Sequence, residues 1–222
     1  MTEILEKLSN CVEFAKSDIK SPYPPAMKDQ EGAFELTQNA LLAGISPGEI
    51  LEGALIPAMS RVGQKFSRNE IFVPQMLMAA KAMSSSMIHL RPYYLSGQTK
   101  RKGTFIIGTV TGDLHDIGKN LVAMMIEGSG WEIIDLGVDV SADKFMQAAE
   151  KHPGAVIGLS ALLTTTMENM RKTVSILREE HPSMKILIGG APVTAEFCEK
   201  IGADYYSPDP QGAVEFLKTI IQ

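Results

Sequence analysis

Five short apolar runs, near residues 104–109, 131–136, 155–159, 185–188 and 203–206, each stand just before a stretch with helical spacing. No other feature constrains the second half of the chain as much. A strand that returns by a helix to lie beside another strand makes a parallel sheet, and the helices cover both of its faces. Right-handed crossovers then give a doubly wound, flavodoxin-like arrangement. In such a sheet ligands bind where the carboxyl ends of the strands open into loops. The expectation is a five-stranded parallel sheet over residues 103–222.

The first part of the chain has a different period. Leu5, Leu8, Val12 and Ala15 recur at helical spacing, and Ser21-Pro-Tyr-Pro-Pro25 must break that pattern. A second helix is expected from Gln30 to Ala43. Ser46, Pro47 and Glu49 then supply an N-cap, a first-turn proline and a third-position carboxylate. Leu51, Leu55, Met59, Val62 and Phe66 stripe the helix that follows. Pro74 opens a fourth, striped by Met76, Ala80, Met83 and Met87. Four helices with short turns make a small bundle over residues 1–94. Residues 95–102 are polar and basic and read as a linker. The fold class is thus α plus α/β in two domains.

Composition removes several functions. Acidic residues outnumber basic ones by 26 to 21, and no basic stripe is present to hold a phosphate backbone, so nucleic acid is excluded as a partner. Cys11 and Cys198 fit neither a disulfide framework nor a zinc spacing, a pattern that suits a reducing cytoplasm. The first residues do not read as a signal peptide, and no apolar run approaches the ~20 residues of a membrane span. A cytoplasmic protein with no membrane partner is expected.

The chemistry concentrates in Thr109-Val-Thr-Gly-Asp-Leu-His-Asp-Ile-Gly-Lys-Asn120, the turn after the first strand. Its single histidine, His115, has a carboxylate two residues before it and another directly after. A carboxylate beside an imidazole fixes the tautomer and makes the other ring nitrogen a better metal ligand. The bland alternative is a surface histidine with Asp113 as the N-cap of the next helix. Two further turns fall at the same sheet edge: Ser160-Ala-Leu-Leu-Thr-Thr-Thr166 and Gly189-Gly190.

Together the turns read Asp113-x-His115-x-x-Gly118, then 41 residues, Ser160-x-Leu162, then 26 residues, Gly189-Gly190. This pattern resembles the cobalamin-binding fingerprint of corrinoid methyl carriers and of cobalamin-dependent methionine synthase. The N-terminal bundle resembles that family's helical cap, with Phe66-Ser-Arg-Asn-Glu-Ile-Phe-Val73-Pro-Gln-Met76 as its best marker.

The resemblance implies cobalamin, as methylcobalamin or another corrinoid, with His115 as the lower axial ligand of cobalt. It implies that Asp113 accepts the other ring N–H and that Thr166, where the family usually has serine, continues the relay. Contacts to the cofactor are implied for Gly112, Asp113, Leu114, His115, Asp116, Ile117 and Gly118. Leu162 is implied as a further cofactor contact, and Ser160, Thr164, Gly189 and Gly190 are implied for the cofactor's nucleotide tail, whose base leaves cobalt in that family. Glu52, Phe66, Val73 and Met76, with Leu77, are implied for the cap above the corrin. Bundle core is the rival reading of that stripe. Two departures from the family are the inserted Ser21–Gln30 stretch and Pro210, where a small residue is usual.

The function implied is a carrier, with no catalytic residue of its own. A substrate:corrinoid methyltransferase would load it with a methyl group from a methylamine, methanol or a methoxylated aromatic. A methylcorrinoid:acceptor methyltransferase would pass the group to a tetrahydrofolate or a thiol coenzyme, and a reductive activase would restore the cobalt. The alternative is a cobalamin-dependent sensor. Related light sensors carry a cap tryptophan and DNA-binding helices. Here the only tryptophan, Trp131, opens the second strand.

Overall fold

The structure is a computed structural model that describes residues 2–95 and 101–220. It divides into two units, residues 1–101 with 128–130, and residues 102–127 with 131–222. Residues 96–100 of the expected linker lie outside the described residues.

The helical unit comprises α1 (Thr2–Glu13), α2 (Ala33–Leu42), α3 (Pro47–Ile50), α4 (Ile56–Ser67) and α5 (Val73–Leu95). Leu8, Val12, Leu36, Ala40, Leu55, Met59 and Met83 are among its buried side chains. The Ser46 hydroxyl accepts from Glu49 N–H at 3.2 Å, and the Glu49 carboxylate accepts from Ser46 N–H at 3.0 Å, a complete capping box. The third helix is not regular throughout. Leu51–Leu55 form a π-helical turn, in which Ile56 N–H reaches back to Leu51 O. Pro57, at the next position, has no N–H to continue an ordinary ladder, and the widened turn precedes it. The expected second helix starts at Ala33 rather than Gln30. The residues before it form a folded loop. Lys16 Nζ donates to Ser21 O at 2.8 Å, and Glu35 accepts from Ile19 N–H and Gly32 N–H.

The second unit is a five-stranded sheet in the order β2-β1-β3-β4-β5, every pair parallel. The strands are β1 (Thr104–Thr109), β2 (Glu132–Asp135), β3 (Val156–Ser160), β4 (Ile186–Gly189) and β5 (Tyr205–Tyr206). Between and after them run α6 (Ile117–Gly128), α7 (Ala142–Lys151), α8 (Met167–Glu180), α9 (Ala195–Ile201) and α10 (Pro210–Ile220). The central strands are buried on both faces, as near-continuous apolar runs require, while the edge strands β2 and β5 are only partly covered. Ile106, Ile157 and Ile188 pack with Phe145 of α7 and Met170 and Val174 of α8 on one face. Gly158 points the other way, where the Phe105 ring fills the space a Cβ would take. This is the flavodoxin-like order, and the direction of crossover reverses between β1 and β3. The loops after those two strands therefore open a crevice at the carboxyl edge.

At the opposite edge Asp204 ties β4 to β5. It accepts from Ile186 N–H at 2.8 Å and Lys185 Nζ at 3.0 Å, and it pairs with Arg178. Burial pushes its pKa up, but the Ile186 N–H, Arg178 and Lys185 outweigh burial and hold the carboxyl below its ordinary value. A carboxylate with a depressed folded pKa stabilises above its unfolded pKa, and that stabilisation fades as pH falls through the folded value. Asp204→Asn is expected to cost about 2 kcal/mol at neutral pH. Urea unfolding across pH should show the gap from the parent protein closing below about pH 4. A gap that widens in acid would contradict this account.

Candidate functional site

The turn after β1 is built on glycine. Gly112 has φ of +83°, a conformation that glycine adopts without strain. Its N–H donates to Asp139 Oδ1 at 2.7 Å, and Asp139 N–H donates to Asp113 O at 3.0 Å. Thr109 Oγ1 donates to His115 O at 2.8 Å. Asn169 Nδ2 donates to Thr111 O at 2.8 Å, which links the turn to the start of α8.

Asp113 is the hub. It is 0% exposed and accepts from five donors. Oδ1 takes His115 N–H at 3.1 Å and His115 Nδ1 at 2.8 Å. Oδ2 takes Leu162 N–H at 2.7 Å, Leu163 N–H at 3.3 Å and Thr166 Oγ1 at 2.8 Å. Burial alone would raise its pKa. The Leu162 N–H, the His115 ring, the His115 N–H and the Thr166 hydroxyl reverse that and hold the carboxyl well below the usual carboxylate range. Asp113 is therefore not the N-cap. Asp116 holds that place, its carbonyl accepting from Asn120 N–H at 2.7 Å.

An ionised carboxylate only accepts, so the neutral His115 ring carries its proton on Nδ1 and presents a lone pair on Nε2. The His115 side chain is 51% exposed. Around it Leu114 is 72% and Ile117 66% exposed, and Leu162 and Leu163 are exposed as well. A wet imidazole inside a collar of bare leucine and isoleucine is a surface made to be covered. Thr166 completes the relay with one proton and two acceptors at 2.8 Å, Asp113 Oδ2 and Leu163 O. The ionised carboxylate is the stronger of the two.

The other expected residues fall at the same edge. Asp116 is exposed, and its carboxylate accepts from Asn120 Nδ2. Gly118 lies in the first turn of α6, and a Cβ there would meet no protein atom. Glycine inside a helix costs about 1 kcal/mol relative to alanine, and nothing in the protein requires it here. Ser160 ends β3 opposite both Thr109 and Gly189. Thr164 is exposed on the loop between Leu162 and Thr166. Gly189 and Gly190 differ in kind. A Cβ on Gly189 would stand 3.3 Å from Ser207 O, whereas one on Gly190, at φ +132°, would stand 1.8 Å from Ala161 O. The protein's own backbone thus demands Gly190.

The cap residues belong to the helical unit. Glu52 is exposed in the π-helical turn. Phe66 near the end of α4 and Val73 at the start of α5 are half-buried, and Leu77 is exposed. Met76 is 1% exposed and sits as core filler does. Sequence reasoning passed over Asp139, Asn169, Leu163 and Lys119. Lys119 is buried and donates to Asp135 Oδ2 at 2.6 Å, fixing the start of α6 to the end of β2. A lysine one residue after a first-turn glycine was the available signal.

Among the described residues no three His, Cys, Asp or Glu gather as a set able to hold a metal ion. One imidazole suffices only for a metal that arrives with its own ring of ligands. An apolar collar, an unpaired Nε2 and a glycine open to the outside fit a corrinoid on those grounds. No helix among the described residues is long and apolar enough to cross a membrane.

Comparison with known proteins agrees. Residues 103–214 match the B12 binding domain model, and residues 28–91 match a second model of that description. Monomethylamine corrinoid protein 2 of Methanosarcina acetivorans is 41% identical over 227 residues, covering 100% of this chain and 99% of that protein. Trimethylamine corrinoid protein of Methanosarcina barkeri is 40% identical over 197 residues, covering 87% and 91%. Among solved structures, the methanol:cobalamin methyltransferase complex MtaBC of Methanosarcina barkeri matches with a TM-score of 0.82 at 28% identity, covering 99% of this chain and 80% of that one.

Proposed function

The chain belongs to the corrinoid-binding methyl carriers, and we propose that it receives its methyl group from a methylamine-type donor and holds its cobalt through His115. When bound, the corrinoid supplies a cobalt centre that can take up and give away a methyl group. The observation that carries the reading is the His115–Asp113–Thr166 chain at the switch point of the sheet, with Nε2 left unpaired.

The protein's residues do three things in this reading. His115 offers Nε2, and Asp113 holds the ring in the tautomer that makes Nε2 the donor atom. By accepting from the Nδ1–H, Asp113 would push electron density into the ring and make Nε2 a better donor to a bound cobalt, and Thr166, donating to the same carboxylate, would temper that push. Leu114, Ile117, Leu162 and Leu163, exposed near His115, would exclude water from it once a corrinoid is held. Glu52, Phe66 and Val73 are assigned to the cap's cofactor-facing side, while Met76 is assigned to its core.

The carrier would work with a substrate:corrinoid methyltransferase, a methylcorrinoid:acceptor methyltransferase serving tetrahydrofolate or a thiol coenzyme, and a reductive activase. The names of the relatives support a methylamine donor, and they leave the acceptor open. The corrinoid-loaded protein should be offered to methyltransferases for monomethylamine, dimethylamine, trimethylamine and methanol in turn. Methyl loading from one of the amines, followed by absorbance, is expected. Loading from methanol alone would refute the donor assignment and leave the carrier role standing.

A further inference from the structure

Asp139 stands in the loop after β2 with φ of +52°. Few side chains tolerate that left-handed region, and aspartate is one of them. A residue kept there is held by its contacts, and such residues gather at functional sites. The contacts of Asp139 lead to one place. Its Oδ1 accepts from Gly112 N–H at 2.7 Å, and its own N–H donates to Asp113 O at 3.0 Å. Between those two groups Asp113 N–H donates to Val110 O at 3.1 Å. The peptide groups on both sides of Asp113 are thereby fixed, and with them the stem from which its carboxylate rises.

The loop does not need the Asp139 side chain for its own path. Leu136 N–H donates to Ile107 O at 2.8 Å, Val140 N–H donates to Thr109 O at 2.9 Å, and Thr111 Oγ1 donates to Val140 O at 3.0 Å. These bonds pin the loop on either side of residue 139. Glycine would take the same φ without strain. What aspartate adds is the acceptor for Gly112 N–H. That acceptor has a mechanical role, because β1 lies between β2 and β3. From the β3 side, Leu162 N–H, Leu163 N–H and Thr166 Oγ1 all pull on Asp113 Oδ2. From the β2 side, Asp139 supplies the opposing anchor. The other carboxylate oxygen, Oδ1, is the one that sets the His115 ring.

We propose that Asp139 is a positioning residue for the axial histidine, acting through Asp113. It keeps the Asp113 stem in place, so that Oδ1 holds the His115 Nδ1 proton while Oδ2 is occupied by the loop after β3. The proposal rests on the corrinoid reading above.

The test uses two variants. Asp139→Gly removes the acceptor and the strain together, while Asp139→Asn keeps an oxygen acceptor on a side chain that tolerates the left-handed region. Nitrogen NMR spectra of the apo proteins, at a pH where the His115 ring is neutral, report which ring nitrogen carries the proton. The parent and Asp139→Asn should hold it on Nδ1, and Asp139→Gly should show a mixture of the two tautomers. Aquocobinamide should bind to Asp139→Gly about tenfold more weakly than to the parent, with a smaller share of nitrogen-ligated cobalt, and to Asp139→Asn as to the parent. Apo Asp139→Gly should melt within about 3 °C of the parent, since lost strain offsets the lost hydrogen bond. Unchanged tautomer and binding in Asp139→Gly, equal impairment of the two variants, or a loss of ligation that tracks a lower melting temperature would each overturn the proposal. A parent protein with the expected apo spectra that does not ligate cobinamide would refute the corrinoid reading, and this proposal with it.

Discussion

Asp113→Asn is expected to destabilise the sheet unit by about 3–4 kcal/mol. The carboxylate accepts from five donors and is fully buried. An amide has one oxygen. Whichever way it turns, its NH2 group faces either His115 or the Leu162 and Leu163 amides, and donors meet donors. Hydrogen bonds to a charged partner are worth about 1.5–3 kcal/mol each, and buried groups left unpaired add to the loss. For a chain of this size that corresponds to a fall in Tm of about 10 °C. Two loops should loosen together, because one side chain holds both. Hydrogen exchange at Leu162 and at His115 should accelerate in parallel. A loss below about 1 kcal/mol, or loosening of one loop alone, would mean that Asp113 is not the hub described.

Gly190→Ala is expected to cost about 3–5 kcal/mol, from overpacking and backbone strain together. The added methyl would stand 1.8 Å from Ala161 O, and φ there is +132°. The Ala161 O it meets is backbone and not a flexible side-chain end, so β3 and β4 must part where they pair Ser160 with Gly189. Gly189→Ala is the control. Its methyl would meet Ser207 O at 3.3 Å, a small squeeze at an ordinary φ. It should unfold within about 1 kcal/mol of the parent protein. Urea denaturation of the pair checks both values. Equal costs at the two positions would remove the distinction between a glycine the backbone needs and one it merely tolerates.

That distinction was hidden in the sequence, where Gly189-Gly190 reads as one turn. Spacing can report that a residue without a side chain is wanted, but not which neighbour forbids the side chain. The sheet was far more legible. Five apolar runs between helical stretches permit few topologies once crossovers are right-handed, and the observed strand order is among them. Asp113 shows where local reading stops. Next to a helix it has the look of a cap, and only Leu162, Leu163 and Thr166, some fifty residues on, show that it is a buried hub. Thr166 was reachable only through resemblance. Asp139 and Asn169 carried no signal of their own, since a polar residue beside a loop is the commonest thing in a sequence. The π-helical turn was missed because a stripe through Leu51, Leu55 and Met59 cannot register one widened turn. Pro57 was the mark it left.

His115 Nε2 is proposed to bind the cobalt of a corrinoid. Aquocobinamide isolates that bond, because it brings no base of its own and any nitrogen on the lower face must come from the protein. It should be titrated into the parent protein and into His115→Ala while the visible spectrum is recorded. Stoichiometric binding to the parent is expected, with a shift to the spectrum of nitrogen-ligated cobalt, and no such shift in the variant. The same shift in His115→Ala, or a parent protein that binds without it, would contradict the claim.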